Sequence, residues 1–112
     1  MHRKIVIALT ALYLTACSSA APQNYRPTGS TDAAWRIDGH YNDITHALVV
    51  RVNGDDTIEG SISWLGGKAE LTGKYDSKPV TASCVRQTPF GRPPSVQCII
   101  FVSNERAATL EF

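Results

Sequence analysis

The chain has 112 residues, 43% of them apolar, and a formal net charge of +1. So even a balance gives no field to gather nucleic acid or to hold an anionic membrane by charge alone. The apolar share fits a folded domain rather than a disordered chain, and the length allows one modest domain.

The chain opens Met1-His2-Arg3-Lys4 and runs on through Ile5-Val6-Ile7-Ala8-Leu9-Thr10-Ala11-Leu12. A basic start before a short apolar run describes an export signal. A membrane span would need roughly 20 apolar residues. The run closes on Leu14-Thr15-Ala16-Cys17, which resembles the lipobox of bacterial lipoprotein precursors. The resemblance implies that residues 1–16 are a removed signal peptide and that Cys17 is diacylated and begins the mature chain. Ser18 after the cysteine resembles the pattern for transfer to the outer membrane. The implied location is therefore the cell outer membrane, with the domain in the periplasm or at the cell surface. Acyl chains would hold it there, each buried methylene contributing about 0.8 kcal/mol.

Residues 17–34 read as lipid anchor and flexible tether. They are small and polar with two prolines, Pro22 and Pro27, and bury too little apolar surface to offset ordering entropy. Residues 35–112 form the domain. From Trp35 onward apolar and polar residues alternate with the two-residue period of half-buried strands, and no stretch keeps helical spacing. Seven antiparallel strands are expected: 35–41, 46–52, 57–65, 68–75, 80–86, 96–102 and 106–112.

Opposed residues of an antiparallel pair share a face, so register tests the reading. A tight Gly66-Gly67 turn pairs Trp64 with Ala69, Ile62 with Leu71 and Ile58 with Tyr75. A three-residue loop at 103–105 pairs Ile100 with Ala108 and Cys98 with Leu110. At Asn53-Gly54 a two-residue turn sets Leu48 and Val50 against Glu59 and Thr57, so a loop of three or five residues is expected there instead. Four-residue loops at 42–45 and 76–79 place Ile37 opposite Val50 and Gly73 opposite Ala82. All strands then share one inner face, carrying Trp35, Ile37, Tyr41, Leu48, Val50, Val52, Ile58, Ile62, Trp64, Leu71, Tyr75, Val80, Ala82, Cys84, Val96, Cys98, Ile100, Val102, Leu110 and Phe112. With no helix to cover it, such a sheet must curl on itself. The expected fold is all-β: a small up-and-down meander forming a barrel, cracked or closed, with a two-sheet sandwich as the alternative.

With Cys17 assigned to lipid, Cys84 and Cys98 remain as an even pair in an exported protein, which reads as a disulfide. Pairing across the loop at 87–95 sets them directly opposite, within bridging reach. The loop itself, Gln87-Thr88-Pro89-Phe90-Gly91-Arg92-Pro93-Pro94, is stiffened by three prolines and clamped at its base. An aromatic and a guanidinium at its tip suit a contact hot spot. Thr88, Pro89, Phe90, Arg92 and Pro93 are therefore a candidate partner-binding loop. A second candidate surface is the outer face of the last strands, where Ile99 and Phe101 point away from the core beside Thr81 and Ala107.

The third candidate is the interior, where Trp35, Tyr41, Trp64 and Tyr75 could line a ligand cavity. Leu71-Thr72-Gly73-Lys74-Tyr75-Asp76-Ser77 is similar to a strand-end stretch of bacterial avidins, small barrels with aromatic-lined pockets. That likeness implies a carrier of a small apolar ligand. Catalysis finds no support: His40 and His46 stand near Asp38 and Asp43 without a nucleophile signature. No cofactor or metal site is expected, since two thiols and two histidines lack the usual close ligand spacing. The functional expectation is a non-enzymatic, lipid-anchored protein-binding module, either a pilotin-type accessory subunit of an envelope or secretion complex or an inhibitor or immunity protein. Its partners are the membrane through its lipid and an envelope protein, not nucleic acid.

Overall fold

The computed structural model describes residues 17–29, 33–63, 67–88, 90–91 and 94–112. They form eight strands: β1 (Cys17–Tyr25), β2 (Trp35–Asn42), β3 (Ala47–Val52), β4 (Asp55–Ser61), β5 (Lys68–Tyr75), β6 (Lys78–Gln87), β7 (Ser95–Val102) and β8 (Glu105–Glu111). Neighbours in sequence are neighbours in space, but the meander divides into two four-stranded antiparallel sheets, β1-β2-β3-β4 and β5-β6-β7-β8. The barrel expectation is thereby corrected to its alternative, two sheets packed through their inner faces.

The division falls where a Gly66-Gly67 hairpin was expected. The fourth strand ends at Ser61 rather than at residue 65, and among the described residues β5 takes β6 alone as ladder partner. The expected pairs of Ile62 with Leu71 and Ile58 with Tyr75 are correct in face but not in bonding, and Trp64, expected opposite Ala69, lies outside the described residues. A Cβ on Gly73 would overlap the carbonyl of Thr57, and one on Gly60 would lie 3.3 Å from Leu71 Cδ2. The two strands approach closely at these glycines without sharing a ladder. At the other seam β1 meets β8. There the Gln23 side chain acts as a short piece of strand, its Nε2 donating to the Thr109 carbonyl at 2.5 Å while its Oε1 accepts the Thr109 amide at 2.9 Å. The outward amide and carbonyl of Thr109 on this edge strand are satisfied without closing a barrel.

The flexible tether expected over residues 17–34 is corrected as well, because Cys17–Tyr25 is an edge strand on β2. Its small residues hid a strand pattern: Ala20 is buried and Tyr25 half-buried. Pro22 sits in the register shift between Ala20 and Gln23. A bulge on an edge is one of the few places where a sheet accepts proline.

Three connections are two-residue turns in which both residues have positive φ: Asn53-Gly54 (52° and 83°), Asp76-Ser77 (50° and 65°) and Ser103-Asn104 (49° and 67°). That geometry matches the twist of a hairpin. The loops of three to five residues expected at these places are therefore corrected, yet the face assignments survive for a physical reason. After Asn53-Gly54, Arg51 pairs with Asp56 but Val50 pairs with Ile58, leaving Thr57 as an extra residue. After Ser103-Asn104, Phe101 pairs with Arg106 but Ile100 pairs with Ala108, leaving Ala107 extra. A tight turn plus a one-residue bulge equals the longer loop in register. At Asp76-Ser77 and in the β2–β3 hairpin the pairs shift by two, to Leu71 with Ala82 and Ile37 with Val52, which keeps the face.

Ile37, Leu48, Val50, Val52, Val80, Ala82, Cys98 and Ile100 have no exposed surface. Leu71, Tyr75 and Phe112 pack against this core half-buried, and Ala20 and Ala108 join it. Cys84 and Cys98 are paired strand to strand and bridged, with Cα atoms 4.0 Å apart.

Candidate functional site

The antiparallel order sorts the connections between two ends of the sandwich. Cys17 pairs with Asn42, so the first strand starts at the end that holds the β2–β3 loop. The Ile62 amide donates to the His46 carbonyl at 2.8 Å, bringing the β4–β5 connection to the same place. The β6–β7 loop and Phe112 complete this end, the Phe112 amide donating to the Val96 carbonyl at 2.8 Å. A cleft of about 80 Å³ between the sheets here is lined by Ser18, Tyr41, Asp43, Arg86, Val96 and Phe112, among others. Residues from both sheets, from the chain's first strand and from its last, thus meet beside the cysteine read as the lipid site.

Two large apolar side chains stand out from this end. Phe90 is fully exposed at the tip of the β6–β7 loop, and Ile44 is 76% exposed on the β2–β3 loop. Ile44 is held out by its neighbours rather than dangling. The Asn42 side-chain oxygen accepts the amides of Ile44 and Thr45 at 2.9 and 3.1 Å, and the Asn42 carbonyl accepts the His46 amide at 2.8 Å. The His46 ring stacks on Tyr41 at 6.4 Å and 7°. Val85, the remaining large apolar side chain that is clearly exposed among the described residues, lies two residues before the end of β6.

Of the expected loop contacts, Thr88 and Phe90 are exposed, while Pro89, Arg92 and Pro93 lie outside the described residues. The disulfide spans the base of this hairpin as expected. Ile99 and Phe101 lie on the outer face of the second sheet, half-buried, with Phe101 opposite Thr81 and Ile99 between Ser83 and Thr109. Cys17 is the first residue of β1.

Of the residues expected to line an interior ligand site, Trp35 and Tyr75 meet at one end of the sandwich and Tyr41 lies at the other. Trp35 and Tyr75 meet edge to face at 4.9 Å at the end away from Cys17, with Tyr25 against Trp35 at 6.0 Å and Lys78 Nζ over the Trp35 ring at 5.7 Å. Tyr41 packs at the opposite end against Phe112 at 6.1 Å. Trp64 lies outside the described residues. Tyr25, Trp35 and Tyr75 close one mouth of the sandwich, and Tyr41 and Phe112 line the cleft at the other.

Two clusters escaped sequence reasoning because both use β1. Ser19 Oγ lies 2.7 Å from Nδ1 of His40 on the exposed face of the first sheet. Asp38 follows on the same strand, but neither of its oxygens bonds to His40 among the described residues, and its Oδ1 has no partner. At the far seam Tyr25 donates to Glu105 at 2.6 Å, and Thr28 donates to the same carboxylate. Burial, then the hydrogen bond and charge of Glu105, push the Tyr25 hydroxyl up to about 12. The hydrogen bonds from Thr28 and Tyr25 hold the Glu105 carboxyl below its usual range. The alternation of Ala20 and Tyr25 about a proline bulge was the one signal that could have revealed this strand. No family model matches the chain, and no solved structure matches it.

Proposed function

We propose that this chain is an outer-membrane lipoprotein, acylated at Cys17, that works as a protein-binding module of the cell envelope. The role is that of an accessory or pilotin-type subunit, or of an inhibitor or immunity protein, and the domain acts by contact rather than by catalysis. The observation that supports the contact reading is the outer face of β6 and β7. Exposed Val85 and half-buried Ile99 and Phe101 form a partly uncovered apolar row beside Thr81, Ser83, Gln97, Arg106 and Thr109, on a sheet stiffened by the Cys84–Cys98 bridge. Uncovered rows of this kind mark partner surfaces, and a rigid one loses little entropy on docking. The hairpin loop adjoins that row, but at the Cys17 end.

The test is photo-crosslinking in intact cells from a reactive residue at position 99, with one at position 38 on the opposite sheet as control. A discrete protein adduct from position 99 alone supports the module. A position 99 no more productive than position 38 would reject it. Acylation is read separately, from the intact mass of the purified protein.

A further inference from the structure

The domain has no spacer between its attachment point and its fold. Cys17 is already paired in register with Asn42, whereas each tether residue would have allowed up to about 3.3 Å of standoff. Whatever precedes or modifies Cys17, a diacylglyceryl group or the apolar run of residues 5–12 itself, therefore leaves the molecule at this one end. The same end carries Ile44 and Phe90, the two most exposed large apolar side chains described. The opposite end presents Asn53-Gly54, Asp76-Ser77 and Ser103-Asn104. A lipid joined directly to a strand holds the adjacent loops at headgroup depth, where apolar side chains are stabilised and backbone turns stay wet.

We propose that the Cys17 end is a membrane-docking face, in which Ile44 and Phe90 seat in the headgroup–acyl boundary of the bilayer beside the acylated cysteine. The inference rests on the anchor reading above and gives the domain a fixed orientation, its strands running away from the membrane toward the tight turns. Lys68, at the start of β5, and Arg86, near the end of β6, lie at the same end without an ion pair among the described residues. They stand where headgroup phosphates would meet them. The docked orientation also leaves the outer face of β6 and β7 turned sideways, open to a partner.

The experiment uses the full chain, processed in cells and reconstituted into phosphatidylethanolamine–phosphatidylglycerol vesicles. Cys17 is acylated and Cys84 and Cys98 are bonded, so a single introduced thiol can carry an environment-sensitive fluorophore. Ile44→Cys and Phe90→Cys are compared with Asn104→Cys at the far end. Labels at 44 and 90 are expected to shift to the blue and to be quenched by nitroxide lipid about twofold or more relative to 104. Labels at 44 and 90 as wet as that at 104, on protein whose mass shows the acyl group, overturn the docking face and leave the anchor standing. Protection that appears only in vesicles made with outer-membrane proteins overturns it in favour of a protein partner. Unacylated protein, read from the intact mass before labelling, defeats the anchor reading and the docking face with it.

Discussion

At the end away from Cys17 the strands are joined by turns as short as hairpins permit, with positive φ at both central residues. Their side chains are Asn, Gly, Asp and Ser, and the core behind them is closed by Trp35, Tyr25 and Tyr75. At the Cys17 end the connections are longer, their residues include Ile44 and Phe90, and a narrow cleft separates the sheets. One end is built for economy of chain, and the other spends residues on side chains that the fold does not need. In a small domain with little stability to spare, exposed apolar residues on long loops are the feature expected of a contact surface, which is the role proposed for them above.

The comparison can be broken hardest through the disulfide, which clamps the loop-bearing end. Replacing Cys84 and Cys98 with Ala opens a loop of sequence separation 14 and should cost about 3 kcal/mol, by chain entropy. Thermal unfolding of the double variant beside wild type measures it, and an unchanged midpoint would show that the sheets alone hold β6 to β7. Next is the β4–β5 seam. Gly73→Val drives a side chain into the backbone of Thr57 and should cost about 1–3 kcal/mol by overpacking. Gly54→Ala, with nothing near it but a positive φ, should cost about 1 kcal/mol. If Gly73→Val were the milder of the two, the close approach would not be what divides the sheets.

How far the sequence carries the argument differs between elements. The inner face from Trp35 to Leu110 is legible because alternation survives any slip of two residues, as the shifted pairs of Ile37 and Gly73 show. The tight turns were obscured at Asn53-Gly54 and Ser103-Asn104 because Thr57 and Ala107 absorb one register step, and a bulge has no composition of its own. The first strand was hidden by its small residues and its proline. The sheet division was hidden too, since Gly60 and Gly73 permit a sharp bend in one sheet as readily as a break between two. Of the candidate site, the loop at 87–94 and the disulfide could be read from the chain. That Ile44 and Cys17 share an end with them could not, since it depends on a strand that looked like a tether.

The far seam should respond to pH on both sides. Glu105 is held below its ordinary value of 4.5, so its contribution is present above that value and lost as pH falls through its lowered folded pKa. Tyr25 is raised from 10.0 to about 12, so its contribution is complete below pH 10 and lost as pH rises toward 12. Protection of the β1 amides, corrected at each pH for the base-catalysed intrinsic exchange rate, should therefore be greatest between those limits and fall outside them. Glu105→Gln should flatten the acid side and bring the Tyr25 hydroxyl down, since the charge and the charged acceptor both disappear. An acid limb that survives in Glu105→Gln would assign the pH response to another group.

The smallest expected effect is the most informative about the two ends. Ile44→Ser and Phe90→Ser remove side chains that are 76% and fully exposed, and should change stability by no more than about 0.5 kcal/mol. Asn104→Ala, by contrast, loses a residue suited to its φ of 67° and should cost about 1 kcal/mol. A destabilisation by Phe90→Ser as large as that of Asn104→Ala would mean that the ring folds back onto the sandwich, and the end near Cys17 would then be structural like its opposite. Neutral stability combined with weakened vesicle association of the same variant would separate the two ends cleanly. The turns would then be retained for the fold, and the exposed apolar loops for what the fold is pressed against.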